Sequence, residues 1–427
     1  MKVSKFFNLF PLNLNAALVK SSTWLFAGGI ASGIIGYLFQ IIMGRMLSLE
    51  EYGLFSALIA LTVVMRAPLG TFTMLISRKV SGYRVSQKIG DLTHLFFIVN
   101  IKGFLVASSL ILFVLFFIDN IKIFLKVEDS EYIYLIAVLI LLSFPEAINN
   151  AYLQGLQYFK WLSATYAMGS TLRTIVAVVL VWFGLGVSGA LYGIIIATVI
   201  MFIFIYRILK PQLHSGKNSP HSNAHYILKS ALPVLFANSV FILMTQLDMI
   251  LVKYYFTEQE AGLYAAASIL GKAVMYLPGS IAIALFPMVA ENHVDGKSSI
   301  NLLMQSVITT VLLCSVGALL YYFMGDFIIS FLYGRDYQEA GKILKYYGFA
   351  ILPMALVLVA EYYLIAMGQV LFAYLFAVIA PLQLLAIYLF HDELLHIVII
   401  MGISGFLLVI IGYGMLWRAH THNKGGI

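Results

Sequence analysis

Apolar runs of about twenty residues follow one another along the chain, and no other feature constrains the fold as much. Leu371–Phe390 and Leu394–Leu416 are two of them, parted by only three residues. A run of that length suits a helix across the hydrocarbon core of a bilayer, where the backbone must satisfy its own hydrogen bonds. The runs are too long and too uniformly apolar for barrel strands, which are shorter and alternate. Charged residues make up 11% of the 427 positions, against about 25% in a soluble domain. Mean hydropathy is +0.95. The chain therefore reads as an all-α polytopic membrane protein.

About twelve spans are expected. The first six are Thr23–Gly44, Tyr52–Ile76, Leu95–Ile118, Ile133–Asn150, Leu162–Phe183 and Val187–Tyr206. The second six are Leu232–Val252, Leu263–Val289, Leu302–Phe323, Tyr346–Ala366, Leu371–Phe390 and Leu394–Leu416. Between the sets lies the most loop-like stretch, residues 210–225, rich in Pro, Ser, Asn and His. This divides the chain into an N-terminal lobe over 1–209, a linker over 210–225 and a C-terminal lobe over 226–427.

A repeat supports the division. Glu51-Tyr52-Gly53-Leu54-Phe55 returns as Glu260-Ala261-Gly262-Leu263-Tyr264, shifted by 209 positions. In both copies an apolar run precedes the polar tip and another follows, as in a transmembrane hairpin turning in water. Six spans per copy make both copies enter the membrane in the same direction. Two such lobes are related by a pseudo-two-fold axis along the membrane normal, the plan of two-lobed transporters with a site between the lobes.

Lysine and arginine concentrate on one side. Lys2, Lys5, Arg78, Lys79, Arg84 and Lys217 fall in segments on the side of the N-terminus, while the opposite loops carry only a few, such as Arg45 and Lys126. The positive-inside bias then makes both termini and the linker cytoplasmic. Trp24, Trp161, Trp182 and Trp417 fall at expected span ends, where an amphipathic indole prefers the interface. The basic start is interrupted by Asn8, Pro11, Asn13 and Asn15, so no cleaved signal is expected. The one cysteine, Cys314, reads as a buried spectator.

A charge inside a span costs about 2.5–3.5 kcal/mol on insertion scales, so each needs a partner, a watery cavity or a role. Six stand out: Arg66, Glu146, Arg173, Asp248, Lys272 and Glu361. Arg66 and Lys272 lie at similar depth in the matching second and eighth spans, each just ahead of a Pro and a Gly: Pro68 and Gly70, Pro278 and Gly279. A proline removes a backbone donor and bends a helix, so a break is expected in both spans. Arg66, Lys272 and Arg173 are candidates to hold an anionic substrate. The alternative for each is an internal ion pair with Glu146, Asp248 or Glu361. Those three carboxylates are in turn either coupling-ion sites or structural partners. Glu146, Asn149, Asn150 and Gln154 are expected to share one polar helix face. The histidines lack the helical spacing of a zinc pair, and no phosphate loop is present, so neither a metal, a cofactor nor nucleotide hydrolysis is expected.

The first hairpin, from Gly33-Ile34-Ile35-Gly36 through Gly44-Arg45-Met46-Leu47-Ser48 to Glu51-Tyr52-Gly53-Leu54-Phe55, resembles the polysaccharide biosynthesis flippases of the multidrug, oligosaccharidyl-lipid and polysaccharide exporter superfamily. Leu247-Asp248-Met249-Ile250-Leu251, Glu260-Ala261-Gly262-Leu263-Tyr264 and Leu285-Phe286-Pro287 strengthen a resemblance to its O-antigen flippase group. The resemblance implies translocation of undecaprenyl-diphosphate-linked oligosaccharide from the cytoplasmic to the periplasmic leaflet of a bacterial inner membrane, for O-antigen, lipopolysaccharide or capsule-like synthesis. It also implies a role for Asp248. Membrane lipid surrounds such a protein, and a polysaccharide polymerase and a chain-length regulator are candidate partners. No nucleic-acid partner is expected, and a monomer is, because each lobe supplies the other's interface. Two other readings are a cation-coupled multidrug exporter of the same superfamily and a membrane-bound polysaccharide polymerase or ligase. The last class needs a large basic periplasmic loop, which the expected spans leave no room for.

Overall fold

The computed structural model describes residues 16–213, 225–294, 298–369 and 371–424. Helices make up all the regular structure among them. In chain order these are α1 (Ala16–Met46), α2 (Leu49–Val85), α3 (Ile89–Phe116), α4 (Ile118–Leu125), α5 (Glu131–Gly155), α6 (Phe159–Leu180) and α7 (Gly186–Leu213). The second set is α8 (His225–Tyr255), α9 (Glu258–Ala273), α10 (Tyr276–Val294), α11 (Ile300–Leu332), α12 (Ala340–Ala366), α13 (Leu371–Leu389) and α14 (Leu394–Lys424). Residues 214–224 of the expected linker, with His214, Lys217 and His221, lie outside the described residues, as do Lys2 and Lys5. So do the side chains of Trp24 and Trp417.

Among the described residues ten segments are long and apolar enough to cross a membrane, and the bent pair α9–α10 makes an eleventh. One of the ten, Phe159–Leu213, is 55 residues long and crosses twice. It folds back at Gly184 and Gly186, whose φ of 87° and 50° are open to glycine and strained for other residues. Gly169 then faces Met201, and Gly193 faces Ala177, so α6 and α7 are antiparallel. Twelve crossings in two six-helix lobes result, and the chain is a multi-pass membrane protein.

Burial repeats between the lobes. The third crossings, α3 and α11, are 11% and 17% buried over their most apolar windows, while the fourth, α5 and α12, are 50% and 61% buried. Leu105, Leu112 and Phe116 on α3, and Leu312, Phe323 and Phe331 on α11, are exposed as a lipid-facing surface would be.

The repeated motif proves to be a helix start. Ser48 caps α2 and Thr257 caps α9, each in a reciprocal capping box with the glutamate three residues on, Glu51 and Glu260. Such a box satisfies two of the backbone donors a helix leaves free. The two starts then pack against each other. A Cβ on Gly53 would lie 2.7 Å from the Gly262 nitrogen, and one on Gly262 would collide with the Leu49 carbonyl. The motif glycines mark a close approach of the two lobes, on the face that carries the hairpin tips.

Other contacts seal this tip face. Arg45 Nε donates to the Leu332 carbonyl at 2.6 Å, its Nη2 donates to the Phe331 carbonyl, and Lys126 Nζ donates to the Phe256 carbonyl at 2.8 Å. Each cation thus meets carbonyls that end a helix of the other lobe, where a positive charge is favoured. Tyr52 and Tyr333 share a hydrogen bond of 3.1 Å, and Phe124 stacks on Tyr254.

Two expectations need correction. The second and eighth spans were both expected to break, yet α2 runs unbroken through Pro68 for 37 residues. Only the eighth divides, by 44°, and it does so at Val274 and Met275, ahead of Pro278. A proline ring clashes with the carbonyl four residues earlier, which is that of Val274. Val274 and Met275 instead donate to carbonyls three residues back, a tightened last turn. The second correction is α4, an eight-residue helix where a loop was expected. It ends at Lys126, in the left-handed region at φ 52°.

Candidate functional site

The six intramembrane charges separate into two clusters and one isolated group. In the N-terminal lobe α2 supplies Arg66, α5 supplies Glu146 and α6 supplies Arg173. Arg66 Nη2 donates to Glu146 Oε2 at 3.3 Å, with the two side chains 41% and 31% exposed. Both line a cavity of about 220 Å³ together with Arg173, Asn150, Ser32, Thr165, Tyr166 and Thr198. Arg173 lies over the Phe39 ring at 5.1 Å, and its Nε has no hydrogen-bond partner among the described residues. Glu146 and Arg66 both stand within electrostatic reach of it. Two arginines against one carboxylate leave the cavity with a net positive charge.

The polar face expected on α5 is only half realised. Glu146 and Asn150 look into the cavity, but Asn149 is fully buried with both amide atoms lacking a partner, and Gln154 is exposed. Offsets of four and three diverge in azimuth on a helix, and here only the first stays on the cavity side.

In the C-terminal lobe Lys272 Nζ donates to Asp248 Oδ1 at 3.0 Å. Asp248 Oδ2 accepts from Tyr347 at 2.6 Å, from Tyr264 at 3.0 Å and from Ser268 at 3.4 Å. Asp248 is fully buried, and Lys272 is 17% exposed. α8, α9 and α12 each contribute to this cluster. Every acceptor direction of the carboxylate is used or nearly so, which is the condition for a buried charge to be tolerated. Lys272 is therefore engaged inside its own lobe and does not stand free beside Arg66.

Glu361, on α12, is the isolated group. It is fully buried, and neither carboxylate oxygen has a hydrogen-bond partner among the described residues. A carboxyl group so placed requires a proton, a cation or water to offset its burial.

Several cavity residues carried no distinguishing signal in the sequence. Ser32 and Ser170, which share a hydrogen bond of 2.6 Å between α1 and α6, read as ordinary small polar residues of apolar helices. Outside the cavity lining, Tyr37 and Tyr276, whose rings meet at 5.1 Å between the lobes, were likewise hidden among 26 tyrosines.

Two lobes of six crossings, with a cationic polar cavity set among the helices of one lobe, make up the fold. The family model for polysaccharide biosynthesis proteins matches residues 18–293, and the chain belongs to that family. A curated relative, an uncharacterized membrane protein of Methanocaldococcus jannaschii, is 21% identical over 319 residues, 70% of this chain and 73% of its own. Among solved structures, an inward-facing multidrug resistance MATE transporter of the MOP superfamily aligns with a TM-score of 0.76 at 14% identity, over 93% of this chain and 96% of its own. The lipid II flippase MurJ, in an inward closed conformation, aligns at 0.71 and 16% identity, over 92% and 87%. These likenesses show a shared fold.

Proposed function

We propose that the chain is a flippase for polyprenyl-diphosphate-linked oligosaccharide, undecaprenyl in a bacterial inner membrane, serving surface polysaccharide synthesis by ion-coupled alternating access. The observation that carries this is the cavity lined by Arg66 and Arg173 with a single carboxylate to balance them. Guanidinium groups offer paired donors to phosphate oxygens, and an arginine whose Nε has no partner is poised to gain one. Lys272, held by Asp248, keeps the C-terminal lobe together. Glu361 is the coupling site, taking up a proton or sodium ion, and Glu146 positions Arg66.

With the termini in the cytoplasm, as the loop charges favour, the sealed tip face is periplasmic. Substrate then enters from the cytoplasmic leaflet, and the tip contacts part when the lobes rock. A cationic drug would find no free carboxylate in this cavity, since Glu146 is committed to Arg66 and Asp248 to Lys272. The multidrug alternative is correspondingly disfavoured.

Deleting the gene and measuring lipid-linked oligosaccharide together with surface polymer tests the proposal. The intact lipid-linked unit accumulating on the cytoplasmic side, with surface polymer lost, is the expected result. Normal surface polymer with heightened drug sensitivity would overturn it.

A further inference from the structure

The seam between the lobes carries a row of tyrosines that the charge clusters do not explain. Tyr37 and Tyr52 come from the N-terminal lobe; Tyr276, Tyr321, Tyr333 and Tyr337 come from the C-terminal lobe. Tyr276 meets Tyr37 edge to face at 5.1 Å and stands within electrostatic reach of Arg173. Tyr321 and Tyr333 stand in the same way around Tyr37. At the tip face Tyr333, Tyr52 and Tyr337 form a triangle with ring centres 5.3 to 5.9 Å apart.

The row has a direction. One face of α1 meets it: Gly33 and Tyr37 touch Tyr276, and Gly44, eleven residues beyond Gly33, lies against Tyr333. That is about 16 Å of helix rise, leading from the level of the cationic cavity to the tip seal.

We propose that this row is the path for the saccharide of the substrate, each tyrosine offering its ring face to a sugar ring and, apart from Tyr321, whose hydroxyl donates to the Leu270 carbonyl at 2.7 Å, its hydroxyl to sugar hydroxyls. A pyranose has an apolar C–H face and a rim of hydroxyls, and a tyrosine has the same two sides. An interface that must part and re-form could be built from aliphatic side chains alone. Here the contacts include hydroxyls that bond to each other across the seam, Tyr52 with Tyr333 at 3.1 Å. Two polar atoms are also left over: the buried Tyr337 hydroxyl and the buried Gln40 Oε1 have no partner among the described residues. When the lobes separate, rings and hydroxyls are released together, and a sugar offers both kinds of contact in return. The diphosphate is held by the arginines at the inner end while the sugars extend along the tyrosines.

This inference rests on the flippase reading, and binding to the full chain in lipid nanodiscs separates the two. The probes are undecaprenyl diphosphate carrying a neutral disaccharide and the bare undecaprenyl diphosphate. Tyr276 is 56% exposed and Tyr37 is half-buried, so their leucine variants are expected to fold. Tyr37→Leu and Tyr276→Leu are expected to weaken binding of the sugar-bearing carrier about tenfold and to leave the bare carrier unchanged. Tyr37→Phe and Tyr276→Phe, which keep the ring, are expected to stay within about threefold of wild type. Leucine variants that weaken both carriers equally, or neither, would overturn the saccharide path. A wild-type protein that binds neither carrier would overturn the flippase reading and the path with it.

Discussion

The two lobes share a backbone plan and have divergent charge chemistry. Their motif glycines, Gly53 and Gly262, meet across the seam, and their fourth crossings, α5 and α12, are the most buried of the ten unbroken apolar segments among the described residues. Yet the position 209 residues beyond Arg66 is Met275, and the position 209 before Lys272 is Val63. The N-terminal lobe keeps a half-exposed pair, Arg66 with Glu146, beside Arg173 in an open polar cavity. The C-terminal lobe buries Asp248 under Lys272, Tyr264 and Tyr347. The repeat keeps the close glycine packing between the lobes. One lobe specialised in accessible charge, and the other in charge that holds helices together.

The sharpest way to break this contrast is to remove one partner of each pair. Asp248→Ala leaves Lys272 and two tyrosine hydroxyls without their acceptor, so a loss of about 3–5 kcal/mol is expected. Thermal unfolding of the purified protein should fall steeply, with abundance falling in parallel. Replacing Asp248 and Lys272 together by residues of similar volume should recover much of that loss, because no unpaired charge remains.

Glu361 tests the C-terminal lobe differently. Glu361→Gln keeps the shape and removes the titrating group, so the protein should remain folded while transport loses its dependence on the ion gradient. Unchanged gradient dependence would move the coupling site elsewhere.

The smallest effect belongs to the N-terminal pair. Arg66 and Glu146 are exposed enough for solvent to screen them, and Glu146→Gln should change stability by no more than about 1 kcal/mol. A loss like that of Asp248→Ala would erase the distinction between the lobes.

Much of the fold could be read in the residues because it rests on local chemistry. Ser48 with Glu51 and Thr257 with Glu260 start helices through their own side chains, and Gly184 and Gly186 turn the α6–α7 hairpin. The break before Pro278 was legible in kind, but its place follows from the carbonyl four residues upstream. Helix α4 was not legible, since eight residues carry too short a pattern to separate from a loop.

The site was legible as a set of residues and not as a set of pairs. Arg66 and Lys272 look alike in sequence, each a cation in an apolar span. Their partners lie 80 and 24 residues away, on helices whose rotation the sequence does not specify. The isolation of Glu361 has the same cause, because a missing partner is a property of every helix around it.

Binding of bare undecaprenyl diphosphate to the protein in nanodiscs asks whether the N-terminal cavity holds the anionic head of the substrate. An Arg66→Gln, Arg173→Gln double variant should remain folded and lose most of its affinity, while Lys272→Met, at any stability that still leaves it folded, should bind close to wild type. Wild-type affinity in the arginine double variant, or loss confined to Lys272→Met, would mean that the diphosphate is held elsewhere.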